Sequence, residues 1–387
     1  MAALTRGDCT PTLDMEGRAA IALASVRGLG PTGILALVEA HGSATSVLEA
    51  ASQGRLAREL SPSLRRLALR ARIDAAHDVT SELPAGTRVV PYCSSRYPSG
   101  LRRLYRPPAV LYALGPLALD QPRTVTVVGT RAATEYGRRM ARRIGSELAA
   151  AGWRVASGIA RGIDAEAHRG ALEAGGETVG VPGCGLGHVY PVANRSLYRD
   201  LAERGLLVTE FPPAEGPRRE HFPQRNRILA GLARAVVVVQ AGHRSGALIT
   251  VDHANDIGVE VLAVPGPADL PASEGVNELL RAGAGFATCA ADVLSLLGEA
   301  SGAYTGSVRA GVGSPETRVE DLPLFPGAES RSEDSLLLSV LTEGPAHVDT
   351  LSTETGLPIP ATLARLARME LEGRVRSLPG GRYETMS

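Results

Sequence analysis

Residues 124–158 read TVTVVGTRAATEYGRRMARRIGSELAAAGWRVASG, and their pattern decides the fold. An apolar run (125–128) ends in Gly129-Thr130-Arg131, and a helical stretch follows (136–150). In that stretch Met140, Ile144 and Leu148 alternate with Arg138, Arg139, Arg142 and Arg143, giving an amphipathic helix with a solvated basic stripe. A second apolar run then opens at 155–157. Strand, loop, helix, strand is the repeating unit of a parallel sheet, because a parallel neighbour needs a crossover long enough to hold a helix. Strands that are apolar throughout belong to a sheet covered on both faces.

The alternation extends in both directions. Apolar runs at 89–92, 178–181, 206–209, 235–240 and 259–264 are separated by helical stretches at 165–173, 196–203, 224–232, 247–256 and 276–281. Residues 85–300 therefore read as one α/β domain, a Rossmann-like, doubly wound and mostly parallel sheet. Residues 1–84 read as a small helical domain of the SAM or helix-hairpin-helix type. Its turn Gly28-Leu29-Gly30-Pro31 fits two readings: a hairpin presenting amides to a phosphate, or a helix C-cap followed by Pro at the next helix start. Residues 301–332, rich in Gly, Ser, Pro and Glu, read as a linker. Residues 333–387 give three helices (336–341, 348–353, 361–371) and a hairpin (375–378 with 382–384) around Pro379-Gly380-Gly381, the pattern of a winged helix.

The chain has 387 residues and 41 basic side chains, all arginine, against 41 acidic ones. The zero net charge hides an asymmetry. Residues 1–80 hold 9 Arg and 8 acids (net +1), residues 81–250 hold 23 and 13 (net +10), and residues 251–387 hold 9 and 20 (net −11). A basic block in the middle points to an anionic ligand there, and every cation that holds it is a planar fork suited to phosphate. No apolar run approaches the ~20 residues of a membrane span, and no signal peptide is expected. Cys9, Cys93, Cys184 and Cys289 lie far apart, which argues against a zinc ribbon or disulfide framework and fits a reducing cytoplasm.

In a doubly wound sheet ligands bind beyond the carboxyl ends of the strands, so the chemistry is sought in the loops there. Gly129-Thr130-Arg131 is neither a dinucleotide fingerprint nor a P-loop, yet its glycine allows close backbone approach and its side chains donate hydrogen bonds. Ser157-Gly158-Ile159-Ala160-Arg161-Gly162, with Asp164 at a helix start, offers a nest of amides for an anion. Asp164 and His168, four residues apart, fit a metal pair or a capping aspartate beside a hydrogen-bonded histidine. Gly183-Cys184-Gly185-Leu186-Gly187 leads to Tyr190-Pro191 and Asn194-Arg195. Residues 218–227 place Arg218, Arg219, Arg225 and Arg227 around Phe222, with Asn226 among them; the ring can stack on a base while the arginines neutralise phosphates. Gly242-His243-Arg244-Ser245-Gly246 gives another amide-rich helix start. Several such loops suit a track of phosphates. Single-stranded nucleic acid fits better than duplex, because no helix is patterned to lie in a major groove and the arginine stripe of 136–150 is read as solvated.

Taken in order, these loops resemble the DNA-processing protein A (DprA/Smf) family. The resemblance runs from Val128-Gly129-Thr130-Arg131 through 157–164, Ala167-His168, Tyr190-Pro191 with Asn194, Phe222-Pro223 and Arg225-Asn226-Arg227. It continues through Gly231-Leu232, Ser245-Gly246, Leu248-Ile249-Thr250, Pro265-Gly266, Gly275 with Asn277, and Arg281-Ala282-Gly283-Ala284, covering roughly residues 88–290. It implies single-stranded DNA binding, homodimerisation through the Rossmann domain, and protection of incoming DNA with loading of the RecA recombinase in natural transformation. No catalysis, cofactor or metal is implied. It further implies that Arg131 and Arg219 contact DNA and that Phe222 stacks a base. Arg219 stands where the family often has lysine, Gln240 replaces a common glutamate, and Ala247 replaces a serine. A nucleotide hydrolase of the phosphoribohydrolase type is the alternative on this fold. It requires a Pro-Gly-Gly-x-Gly-Thr segment and a glutamate, and residues 242–250 have no glutamate. A protein-interaction scaffold is a third reading, disfavoured by the basic middle.

Overall fold

The computed structural model describes residues 14–299, except 59, 72–78 and 80, and residues 329–386, except 343, 379 and 380. The chain divides into two compact units, residues 1–305 and 306–387.

The first unit opens with α1 (Met15–Ala24), α2 (Pro31–His41), α3 (Ala44–Ser52) and α4 (Pro62–Ala68). Glu16 ties them together: its carboxylate accepts from Ala44 N (2.6 Å) and Thr45 N (3.0 Å) at the start of α3, and from Cys93 Sγ (2.9 Å). Between α1, whose C-cap is Ser25, and α2, Gly28 has φ +90°, Gly30 is the N-cap of α2 and Pro31 its first residue; the proline opens the second helix, but the first helix ends before the Gly28–Gly30 turn. Val110 and Tyr112 of the neighbouring sheet share one apolar cluster with Ile21, Leu23, Leu37 and Val47 of these helices. The expected boundary at residue 84 is therefore no break in packing.

The sheet contains β1 (Arg88–Pro91), β2 (Val110–Leu114), β3 (Thr124–Gly129), β4 (Arg154–Ser157), β5 (Thr178–Gly180), β6 (Leu206–Thr209), β7 (Ala235–Gln240), β8 (Glu260–Ala263) and β9 (Gly285–Phe286). Their spatial order is β1-β2-β6-β5-β4-β3-β7-β8-β9. From β6 to β9 the neighbours are parallel, while β1 and β2 add an antiparallel edge. Strands β2 and β9 are not foreseen from the sequence; β2 follows directly on Pro107-Pro108, and β9 is only two residues long.

The helices between strands are α5 (Glu135–Ala150), α6 (Ile163–Glu173), α7 (Arg195–Arg204), α8 (His221–Leu232), α9 (Leu248–Asp256), α10 (Glu274–Arg281) and α11 (Ala290–Leu296). They explain why β7 is apolar without alternation. Val237 and Val239 pack with Ile144 and Leu148 of α5, whereas Val236 and Val238 pack with Ile228 and Leu229 of α8 and Val251 of α9. Successive side chains point to opposite faces and both faces are buried. Each such valine or leucine contributes about 1.5–3 kcal/mol.

The second unit consists of α12 (Glu329–Thr342), β10 (Ala346–His347), α13 (Val348–Thr355), α14 (Ile359–Leu371), β11 (Val375–Leu378) and β12 (Arg382–Thr385), with sheet order β10-β12-β11. Leu337, Leu341, Leu351, Leu366, Met369 and Val375 form its core. This is the expected winged helix with one further short strand. Of the expected linker, residues 301–328 lie outside the described residues and 329–332 belong to α12; Pro379 and Gly380 of the expected turn also lie outside.

Candidate nucleic-acid interface

The strand order reverses at β3: β4, β5 and β6 follow on one side, and β7, β8 and β9 on the other. The carboxyl ends of β3 and β7 thus diverge into loops that leave a crevice, the place where doubly wound sheets bind ligands. A cavity of about 600 Å³ lies there. Its walls are Val128 to Arg131 at the end of β3, Ala160 after β4, Tyr190, Arg219, Phe222, Pro223, Arg225 and Asn226 around the start of α8, and Ser245, Gly246, Ala247, Ile249 and Thr250 after β7.

The loop after β3 is held by β7. Thr130 N donates to Gln240 O (2.7 Å), and the Gln240 side chain, buried, accepts from Thr134 N (2.9 Å). Thr134 in turn caps α5 through Gly137 N (3.2 Å). Gln240, which the sequence marks only as a departure from a glutamate, is thus the anchor of the Gly-Thr-Arg loop. A Cβ on Gly129 would come within 2.5 Å of Ile163. Gly162 has φ +81°, and a Cβ there would meet Thr130 O at 2.4 Å. Both positions need glycine for the loops to approach this closely.

The loop after β4 carries strain. Ile159 is fully buried with φ +57°, an arrangement costing about 1–3 kcal/mol for a β-branched residue. Asn194, also buried, holds it by donating to Ile159 O (2.8 Å) and Ala160 O (3.2 Å). Arg225 braces the same loop from α8: its guanidinium donates to Gly158 O (2.7 Å) and to Asn226 Oδ1 (3.0 Å), and Asn226 donates to Gly246 O (3.1 Å). Asp164 accepts from Ala160 N (3.3 Å). Burial pushes its carboxyl above the ordinary value, opposed by Arg225 and by that amide. Burial likewise lowers the Arg225 guanidinium, opposed by Asp164. Four loops are in this way fixed by one buried polar network.

Above the network the cavity surface is aromatic and basic. The Phe222 and Tyr190 rings lie 5.4 Å apart, tilted by 45°. The Arg131 guanidinium sits 4.9 Å from the Phe222 centroid, within cation–π range. Arg131 and Arg219 are exposed, and among the described residues neither forms an ion pair with a carboxylate. No Asp or Glu belongs to the cavity walls.

The sequence expectation of four arginines around Phe222 needs correction. A helix turns about 100° per residue, so α8 spreads them over different faces. Arg225 is buried beneath the cavity. Arg227, five positions after Phe222, is turned away and paired with Glu210, whose carboxyl burial raises while Arg227 opposes the rise. Arg218 pairs with Glu215 (2.8 Å). Arg219 alone of the four lines the cavity with an exposed side chain. Among the other expected site residues, Ser157 is buried with its hydroxyl on Val127 O (2.6 Å), and Gly158 and Asn194 are buried scaffold. Arg161, Gly162 and Arg195 are not among the cavity walls, although both arginines are exposed. Gly129, Thr130, Arg131, Arg219, Phe222, Asn226, Ser245 and Gly246 are brought together. Tyr190 had no assigned role; the glycine-rich loop preceding it was the available signal.

Asp164 and His168 do not form a ligand pair. The α6 cap is Gly162, so Asp164 lies one residue inside the helix. Thr178 Oγ1 donates to Val155 O (2.8 Å) and accepts from His168 Nδ1 (2.7 Å). Burial drives the His168 imidazole down to about 3, leaving it neutral. Among the described residues no group of three or more His, Cys, Asp or Glu side chains is placed to hold a metal.

Residues 88–298 match the family model for DNA recombination-mediator protein A, and residues 324–381 match the DprA winged helix domain. The DNA processing protein DprA of Bacillus subtilis is 39% identical over 221 residues, 57% of this chain and 74% of that protein. The X-ray structure of DprA from Streptococcus pneumoniae superposes with a TM-score of 0.59 at 30% identity, covering 72% of this chain and 97% of that one. A DprA structure from Helicobacter pylori, described for its single-stranded DNA binding mode, gives a TM-score of 0.50 at 28% identity, over 55% of this chain and 95% of that one.

Proposed function

This chain belongs to the DNA recombination-mediator protein A (DprA) family, and from that premise we propose that its switch-point cavity binds single-stranded DNA. Arg131 and Arg219 hold phosphates, amides of the Gly129 and Ser245–Gly246 loops add donors, and Phe222 with Tyr190 stacks a base. In this reading the protein works as a homodimer in the cytoplasm, protects an incoming strand and loads RecA onto it during natural transformation. It assigns no catalytic step to the chain.

One observation carries the reading: two exposed arginines, neither with a carboxylate partner among the described residues, share with an aromatic pair a cavity in whose described walls there is no carboxylate. A small anion would need the cations alone. A stacked base explains the rings as well. Fluorescence anisotropy with single- and double-stranded oligonucleotides tests it: the single strand should bind several-fold more tightly at equal salt. Equal binding of both, or cleavage of a nucleotide substrate, would refute it.

A further inference from the structure

The switch-point cavity does not end at α8. Pro223 and Ile249, two of its walls, also line a second and larger groove of about 960 Å³. The lining also includes Arg103, the last residue of the short 3₁₀ turn Ser99–Arg103, with Tyr105 and Arg106 just after it. Tyr105 is 91% exposed, the most exposed large apolar side chain among the described residues, and its ring carries the Arg106 guanidinium at 5.6 Å. Arg103 is steadied by a bond to Ile257 O (3.3 Å) and is exposed. The groove has one carboxylate in its lining, Asp256, and of its arginines Arg227 is already neutralised by Glu210.

We infer that the single-stranded DNA track continues from the switch-point cavity across Pro223 and Ile249 into this groove, where Tyr105 stacks a further base and Arg103 and Arg106 hold the flanking phosphates. The inference rests on the proposed function. Continuity of the two cavities supplies the path. A ring with a guanidinium over it in a groove lined by a second arginine repeats, on a different element, the chemistry of Phe222 with Arg131 and Arg219. A protein partner would find the same ring, but the unneutralised arginines favour a polyanion.

Oligothymidylates of about 4 and about 16 nucleotides, spanning the site sizes of such grooves, separate the two cavities. The wild-type protein should gain affinity on lengthening. Tyr105→Ala should bind the short oligonucleotide as wild type does and lose about 5- to 150-fold on the long one, the range for one stacked base. Tyr105→Phe should behave as wild type. Because Tyr105 is exposed, the Tyr105→Ala melting temperature should not move, so a lost gain reports binding and not folding. If Tyr105→Ala binds the long oligonucleotide normally while Phe222→Ala weakens both, the extension is wrong, the groove is a protein surface and the proposed function stands. If wild type binds neither oligonucleotide, the proposed function fails and takes this inference with it.

Discussion

Helix α5 and the loops around the switch-point cavity carry the same cation to opposite ends. On α5, Arg139 lies 3.8 Å from Glu135, Arg142 pairs with Glu166 (3.5 Å) and Glu173, and Arg143 pairs with Glu147 (2.6 Å). In the loops, Arg131 leans over an aromatic ring and Arg219 faces the cavity, each without a carboxylate partner among the described residues. Both sets belong to the block of net charge +10. In the proposed reading regional charge points to the domain, whereas a place in the cavity wall without a carboxylate partner among the described residues points to Arg131 and Arg219.

The comparison can be broken from several sides. The largest effect belongs to the scaffold beneath the loops. Arg225→Ala leaves Asp164 buried without its cation and frees Gly158 O, and should cost about 3–5 kcal/mol in denaturant unfolding. The deficit should narrow on acidification: the buried Asp164, its affinity for protons raised in the fold, takes one up before the unfolded chain does. A deficit independent of pH would show that the Arg225 charge does not act on the Asp164 carboxyl. Phe222→Ala should cost about 1–3 kcal/mol of single-strand affinity, and the loss should persist at high salt, where stacking survives. A variant weaker than wild type only at low salt would contradict stacking. Arg142→Ala should be the smallest change: single-strand affinity unaltered and stability reduced by about 1 kcal/mol or less, since Arg142 itself and Glu173 are exposed. A large loss of affinity there would erase the distinction between helix and loop.

Much of the fold was legible because two physical periods are visible in the chain. Residues 235–239 are apolar at every position, which only a strand buried on both faces requires, and α5 alternates charge and apolar residues with the helical repeat. The loop glycines were legible for a similar reason, as close approach leaves no other residue type. The roles of the individual arginines in 218–227 were not. They depend on where α8 begins, and a helix starting at His221 sends Arg225 inward and Arg227 to Glu210. The place of Tyr190 beside Phe222, 32 residues further on, is set by the fold and has no local sequence signature. Gln240 was read as a lost family feature, although its amide anchors the loop after β3.

The central claim is that the unpaired loop arginines, and not the paired helix arginines, hold phosphates. The most direct measurement compares log affinity against log salt for a single-stranded oligonucleotide bound by the Arg131→Ala/Arg219→Ala double variant and by Arg139→Ala/Arg142→Ala. Each phosphate contact contributes about 0.7 to the slope for single strands, so the loop variant should flatten it by roughly 1.4 while the helix variant keeps the wild-type slope. Equal slopes for the two variants, or flattening only in the helix variant, would contradict the claim.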